Sequence, residues 1–260
     1  MANIALDSAA SGLNALNTRL DVIANNLANV NTVGFKESRA NFQDLMYIER
    51  AQPGIETPLG EQRPTGLYVG LGVKVSGTQT NFTPGNPMQT DRELDLLIEG
   101  EGFFRVQVEE ALGGGFPITR AGNFTVNGAG EIVLASDVGR RLDPPIQIPE
   151  DATAIAVGPS GIVSVMQPGQ AAPQEIGQIE LTTFINEGGL KPVGENLYVE
   201  TAASGEPIVG NPQEDNFGII RQGMLESSNV DPARELIELI RTQRAFEMNS
   251  NSIRAADATL

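Results

Sequence analysis

Both ends of this chain carry the apolar spacing of long helices and the middle does not, and that division limits what the chain can fold into. Leu6, Ala9, Leu13, Leu16, Leu20, Ile23, Leu27 and Val30 follow one another at alternating steps of three and four, an a/d heptad seam. Gly12 is the only glycine before Gly34, and the segment has no proline. A helix from Asn3 to Asn31 would be roughly 43 Å long at about 1.5 Å per residue, too long for a small domain to cover. Its other face is Asn, Ser, Thr, Asp and Ala, with few of the Glu and Lys that hold an isolated helix, so the sequence predicts ends that are disordered until they find partners.

The far end mirrors this. Asp231-Pro232 supplies a capping side chain and a proline at the first helical position, and from Ala233 to Leu260 there is neither Gly nor Pro. Leu236, Leu239, Gln243, Phe246, Ser250, Ile253 and Leu260 share one seam, widened by Ile237 and Ile240 and broken by its polar members. Two long helices with narrow seams at opposite ends suit a coiled-coil-like antiparallel pair whose remaining faces are covered by other subunits.

Between them, Gly and Pro punctuate short alternating runs: Tyr68 to Val75, Leu94 to Ile98, Phe103 to Val108, Phe124 to Val126, Glu131 to Leu134, Thr153 to Val157, Ile162 to Val165, Ile179 to Phe184 and Asn196 to Glu200. Asn127-Gly128 predicts a two-residue hairpin turn. The fold class is mixed α and β: terminal helices, a central all-β domain and an extended arm. Arg39 to Leu67 shows neither period and reads as a long connection. The divisions are 1–35 for the first helix, 36–72 for the connection, 73–228 for the β domain and 229–260 for the second helix.

Composition narrows the chemistry. The 260 residues include no His, Cys or Trp, which removes imidazole catalysis, thiolate nucleophiles and zinc sites built on His or Cys. Lys plus Arg is 17 and Asp plus Glu is 33, a net charge of −16 that opposes binding to nucleic acid or anionic lipid. The first residues lack a basic leader, so a cleaved signal peptide is not expected, and no apolar run reaches the roughly 18 residues of a spanning helix.

What remains is carboxylate chemistry. Glu99 and Glu101, and Glu109-Glu110, are the densest acidic pairs, but a glycosidase needs two acids facing each other across a bond, and neighbours on a strand point apart. Gly100-Glu101-Gly102 and Gly113 to Gly115 lack the Lys-Ser/Thr and helix of a phosphate loop. Asp91, Glu93 and Asp95 alternate along one possible strand face without EF-hand spacing. The expectation is no catalytic residue, no metal and no cofactor.

Ile23-Ala24-Asn25-Asn26-Leu27-Ala28-Asn29-Val30-Asn31-Thr32-Val33-Gly34-Phe35-Lys36 resembles the N-terminal signature of the flagellar rod and hook axial proteins. Ser228-Asn229-Val230-Asp231 and Gln243-Arg244-Ala245-Phe246-Glu247-Met248-Asn249 resemble the other end of that family. Leu94-Asp95, Gly100 to Phe104 and Thr119 to Gly122 resemble its central β domain.

The resemblance implies a structural subunit that polymerises helically, its helices stacked round a channel and its β domain outermost, exported without a cleaved signal peptide. It makes Asn25, Asn26, Asn29, Gly34, Phe35, Asn229, Gln243 and Arg244 signature residues. The self-assembly seam is Leu6, Leu13, Leu16, Leu20, Ile23, Leu27, Val30, Leu236, Leu239, Ile240, Phe246 and Ile253. Implied partners are further copies of the chain, proximal rod proteins, the hook protein, the P and L ring proteins, the export apparatus and the rod cap, in a structure reaching from periplasm to outer membrane. Met46 to Gly66, with Pro53, Pro58 and Pro64, matches an insertion thought to stiffen a straight tube. The rivals are a hook-type or other rod paralogue, a secreted adhesin, and a carboxylate glycosidase.

Overall fold

A computed structural model describes residues 2–54, 64–108, 116–170, 172–214 and 216–257. Glu109-Glu110, Gly113 to Gly115, Leu260 and part of the expected arm, with Pro58, therefore lie outside the described residues. The chain divides into two compact units. One combines Met1–Ala28, Ser38–Thr80 and Asp231–Leu260; the other combines Asn29–Glu37 and Asn81–Val230.

The first unit holds the two long helices, α1 at Ala2–Ala28 and α2 at Pro232–Asp257. Asp231 caps α2 as its sequence position predicts, its carboxylate accepting the N–H of Ala233 at 2.9 Å and of Arg234 at 3.3 Å. Helix α1 stops at Ala28 rather than running to Asn31. The Asn29 carbonyl takes the Thr32 N–H at 3.1 Å and the Asn29 side chain takes the Thr32 hydroxyl at 3.1 Å, a turn that competes with the next helical bond. Val30 therefore lies outside the helical seam to which its spacing had assigned it.

Ser38–Asp44 and Tyr47–Ala51 are strands where the sequence showed neither period. The first pairs antiparallel with Val73–Thr80 and the second with Leu67–Gly70, two strands into which the expected run Tyr68 to Val75 divides. Most of their residues are exposed or half-exposed on both faces. Alternation is imprinted only when one face is buried, and these ladders bury neither.

The second unit is all β and holds the core. Its largest sheet runs Lys191–Gly194, Leu197–Val199, Ile118–Thr119, Phe103–Val106, Leu181–Thr183, Ile208–Gly210, with Leu142–Asp143 also on Phe103–Val106. Phe103 and Phe104, both fully buried, belong to different clusters: Phe104 packs with Phe124, Leu181 and Val163, and Phe103 with Phe82, Ile118 and Tyr198. Adjacent strand residues point to opposite faces, so this strand is covered on both. Phe82 stands edge-on to Phe103 at 5.4 Å and to Tyr198 at 5.1 Å.

The turn at Asn127 is longer than the two-residue form. Asn127 and Glu131 face each other, the left-handed residue is Gly130 at φ 80°, and Asn127 Oδ1 accepts the N–H groups of Ala129 and Glu131. The Asn side chain favours a three-residue loop closed by a glycine bulge.

Burial pushes the Tyr198 hydroxyl up to about 12, reinforced by Glu226. The folded chain then holds that proton more tightly than the unfolded chain, so stability declines as pH rises from about 10 to about 12. We expect urea melts at pH 8 and pH 11 to show a smaller alkaline loss for Tyr198→Phe than for the unaltered chain, by about 1 kcal/mol. Equal losses would refute the assignment.

Candidate assembly surface

The first unit is apolar where it should be closed. Among the described hydrophobic residues of its helices and ladders, only Ala15 and Ile23 are buried. Leu6, Leu13, Leu16, Leu20 and Leu27 are half-buried, with Asp7, Asn14, Asn17, Asp21 and Asn25 on the exposed face. On α2 the expected seam divides. Leu239, Phe246 and Ile253 are half-buried, whereas Leu236, Ile237 and Ile240 are between 43% and 51% exposed. Gln243 and Arg244 are also exposed.

Three polar contacts link α1 to α2. Arg19 Nη2 donates to Glu238 Oε2 at 2.6 Å, Asn26 Nδ2 reaches Glu235 Oε2 at 3.4 Å, and Asn249 Nδ2 donates to the Ala9 carbonyl at 2.9 Å. Glu235 and Thr242 are among the buried residues of α2. Sequence spacing missed this face because it followed the apolar seam, on which Glu235 and Thr242 do not lie. The apolar stripe at 236, 237 and 240 lies exposed, as do Phe42, Met46, Tyr47, Ile48, Leu67 and Tyr68 of the ladders. A patch-rich unit with almost no closed core is what an interaction surface looks like before its partner is added.

Several signature residues do different work. Asn26 holds the backbone of Ser38 from both sides, Nδ2 donating to its carbonyl at 2.8 Å and Oδ1 accepting its N–H at 3.0 Å. Within the β unit, Gly34 sits at φ 68°, and an added Cβ would lie 2.7 Å from the Ala121 nitrogen. That position accepts only glycine. The Gly34 N–H reaches the Glu226 carbonyl at 2.8 Å, and the Asn229 N–H reaches that of Phe35 at 3.3 Å. Asn229 Oδ1 accepts the Glu37 N–H at 2.7 Å while Nδ2 donates to the Asn81 carbonyl at 2.9 Å.

Lys36 closes this crossing. Its ammonium, fully buried, lies 2.5 Å from Glu226 Oε1 and donates to the Thr83 carbonyl at 2.9 Å. Glu226 Oε1 also accepts the Gly85 N–H at 2.8 Å, and Arg120 stands 3.7 Å from Oε2. Arg120 is anchored by the carbonyls of Ile98 and Gly100 and lies over the Phe103 ring. Burial lowers the affinity of Lys36 for its proton, and the attraction of Glu226 opposes that shift. Asn196 joins the cluster from a turn in which both it and Glu195 have positive φ, donating to the Val33 carbonyl at 2.9 Å. The motif positions were legible in sequence; a buried three-charge cluster is not a sequence pattern.

The acidic candidates are dispersed. Asp95 is buried and takes the Thr90 hydroxyl at 2.7 Å, while Glu93 accepts the Ile155 N–H at 3.1 Å. Glu99 and Glu101 line an open cleft of about 610 Å³ with Asn216, Phe217 and Gly218, and Glu99 is ion-paired with Arg221. Among the described residues no cluster of three acids is placed to hold a metal ion.

Three family models match: the flagella basal body rod protein over residues 6–36, the flagellar hook protein FlgE/F/G D1 domain over 97–165, and the flagellar basal body rod FlgEFG protein C-terminal over 221–260. The chain is 46% identical to flagellar basal-body rod protein FlgG of Caulobacter vibrioides over 258 residues, covering 98% of this chain and 96% of the relative. It is 38% identical to that of Bacillus subtilis over 258 residues, with the same shares. Against flagellar basal-body rod protein FlgF of Caulobacter vibrioides the identity is 37% over 238 residues, 89% of this chain and 84% of the relative.

The crossing generates a test. Lys36→Met leaves the Glu226 carboxylate buried with only Arg120 near it, and breaking such a pair costs about 3–5 kcal/mol. Glu226→Gln instead leaves Lys36 and Arg120 buried together without their shared countercharge, so it should unfold at a lower urea concentration than Lys36→Met. A Glu226→Gln variant as stable as Lys36→Met would contradict this account.

Proposed function

Because the chain belongs to the flagellar basal-body rod protein family, we propose that it is a structural subunit that polymerises helically into the distal rod, a stiff hollow shaft carrying torque from motor to hook. The observation that carries this reading is the helical unit, whose apolar stripes have almost no core of their own to enter. Copies of the same chain supply the missing surface. The greater likeness to FlgG than to FlgF of one organism supports a distal position over a proximal one. The runs Gly70 to Val75 and Gly194 to Thr201 resemble the distal rod protein in the same sense.

In this reading α1 and α2 form the coiled-coil-like pair, the half-buried seam and the exposed stripe of α2 meet neighbouring subunits, and the stretch from Met46 to Gly66 is the arm that stiffens the lattice. Proximal rod proteins and the hook protein meet the two ends of the shaft, and the P and L rings surround it. Among the described helices none is long and apolar enough to cross a membrane. Repetition of a subunit of charge −16 makes an acidic tube, whose surface repels a like-charged surround. Torque passes through repeated contacts, and no residue is catalytic.

Electron microscopy of basal bodies from a strain lacking the gene tests the placement. The expected outcome is a shortened rod with no hook, both restored with the gene; a full rod with a faulty hook would move the subunit elsewhere on the axis. At the level of the surface, Leu236→Asp with Ile240→Asp should abolish polymerisation. The unfolding free energy of the β unit from urea melts should change by no more than about 0.5 kcal/mol, because both side chains are exposed.

A further inference from the structure

The pairing of α1 with α2 has a register problem that its apolar residues do not solve. Leu6, Leu13, Leu20 and Leu27 recur every seven residues on α1, and Leu239, Phe246 and Ile253 recur every seven on α2. Sliding one helix past the other by a heptad, roughly 10 Å at 1.5 Å per residue, sets nearly every one of these side chains opposite an equivalent neighbour. Apolar matching alone leaves several registers close in free energy.

The polar contacts break that equivalence. They run antiparallel: Ala9 meets Asn249, Arg19 meets Glu238, and Asn26 meets Glu235. The first is also a steric fit. A Cβ at Gly12 would lie 2.7 Å from Asn249 Nδ2, so the Asn side chain reaches the Ala9 carbonyl through the notch that Gly12 leaves. Gly12 is the only glycine in α1, at a position where glycine weakens a helix interior relative to alanine.

A heptad slip moves Asn249 opposite Ala5 or Arg19, neither of which offers a notch. The same slips move buried Glu235 opposite Arg19 in one direction and beyond the end of α1 in the other. The first direction keeps an ion pair for Glu235 but strands Glu238 opposite Gly12. We propose that the Gly12–Asn249 notch, supported by Arg19–Glu238 and Asn26–Glu235, determines the register of the terminal helix pair and so selects one subunit geometry for the lattice. This rests on the helix pairing proposed above.

The chain has no cysteine, so introduced thiols report position without background. In assembled rods, Arg19→Cys with Glu238→Cys joined by a short bis-maleimide reports the observed register, with the notch and Asn26–Glu235 left to hold it, and Arg19→Cys with Ala245→Cys reports the slip that carries Asn249 toward Arg19. Products that keep the mass of one chain are intramolecular. In the otherwise unaltered chain only the 19–238 product is expected. Adding Gly12→Ala and Asn249→Leu, as a minority subunit co-assembled with unaltered chains, should cut that product to about half or less as registers share the population. The 19–245 product should appear with it.

If the double variant is excluded from rods, Asn249→Leu alone gives the same comparison. A 19–238 product unchanged by these substitutions would overturn the register proposal while leaving the pairing intact. No intramolecular product from either cysteine pair in the unaltered background would instead remove the pairing on which the proposal stands.

Discussion

The buried contact between Lys36 and Glu226 joins two parts of the chain that lie 190 residues apart. One carries the chain from α1 into the β unit and the other carries it back toward α2, and each brings a charge that has no stable place without the other. Arg120 adds a second cation, fixed by two carbonyls and an aromatic face. Taking charges out of water is costly, and the return comes only when their partners and hydrogen bonds are all in place. The cluster is thus a conditional lock: it forms when Gly34 has turned tightly against Ala121, Asn229 has bridged Glu37 and Asn81, and Asn196 has captured Val33. Those residues come from five distant stretches of sequence.

Sequence reading succeeded where burial is one-sided or where a side chain bonds locally. The Asp231 cap, both helices and the run around Ile162 were legible for that reason, while the runs around Phe103 and Ile132, buried on both faces, were legible as short apolar stretches between turn residues. It failed where the pattern carries no burial signal. Ser38–Asp44 and Tyr47–Ala51 pair through their backbones while exposing most of their side chains, so nothing in their alternation marks them as strands. The signature asparagines were recognisable as a motif, yet their work at Ser38, Glu37 and Asn81 depends on long-range proximity. On α2, attention to the apolar seam took in the stripe at Leu236 and Ile240 that lies exposed but overlooked the polar face toward α1.

That polar face makes physical sense for a subunit that must assemble only in the right place. A continuous leucine interface between α1 and α2 would be strong in one chain and promiscuous between chains, because every heptad resembles the next. Charged and amide contacts contribute less net free energy but penalise wrong partners, since each misalignment strands a polar group. Placing Glu235, Glu238 and Asn249 between the helices, and Leu236, Ile237 and Ile240 outside, assigns specificity to the inner contact and hydrophobic driving force to the outer one. The same residues would make a poor isolated helical hairpin. In the lattice proposed above, each subunit's exposed stripe would gain partners by repetition, and the weakness of the lone pair would be a barrier to assembly away from the growing end.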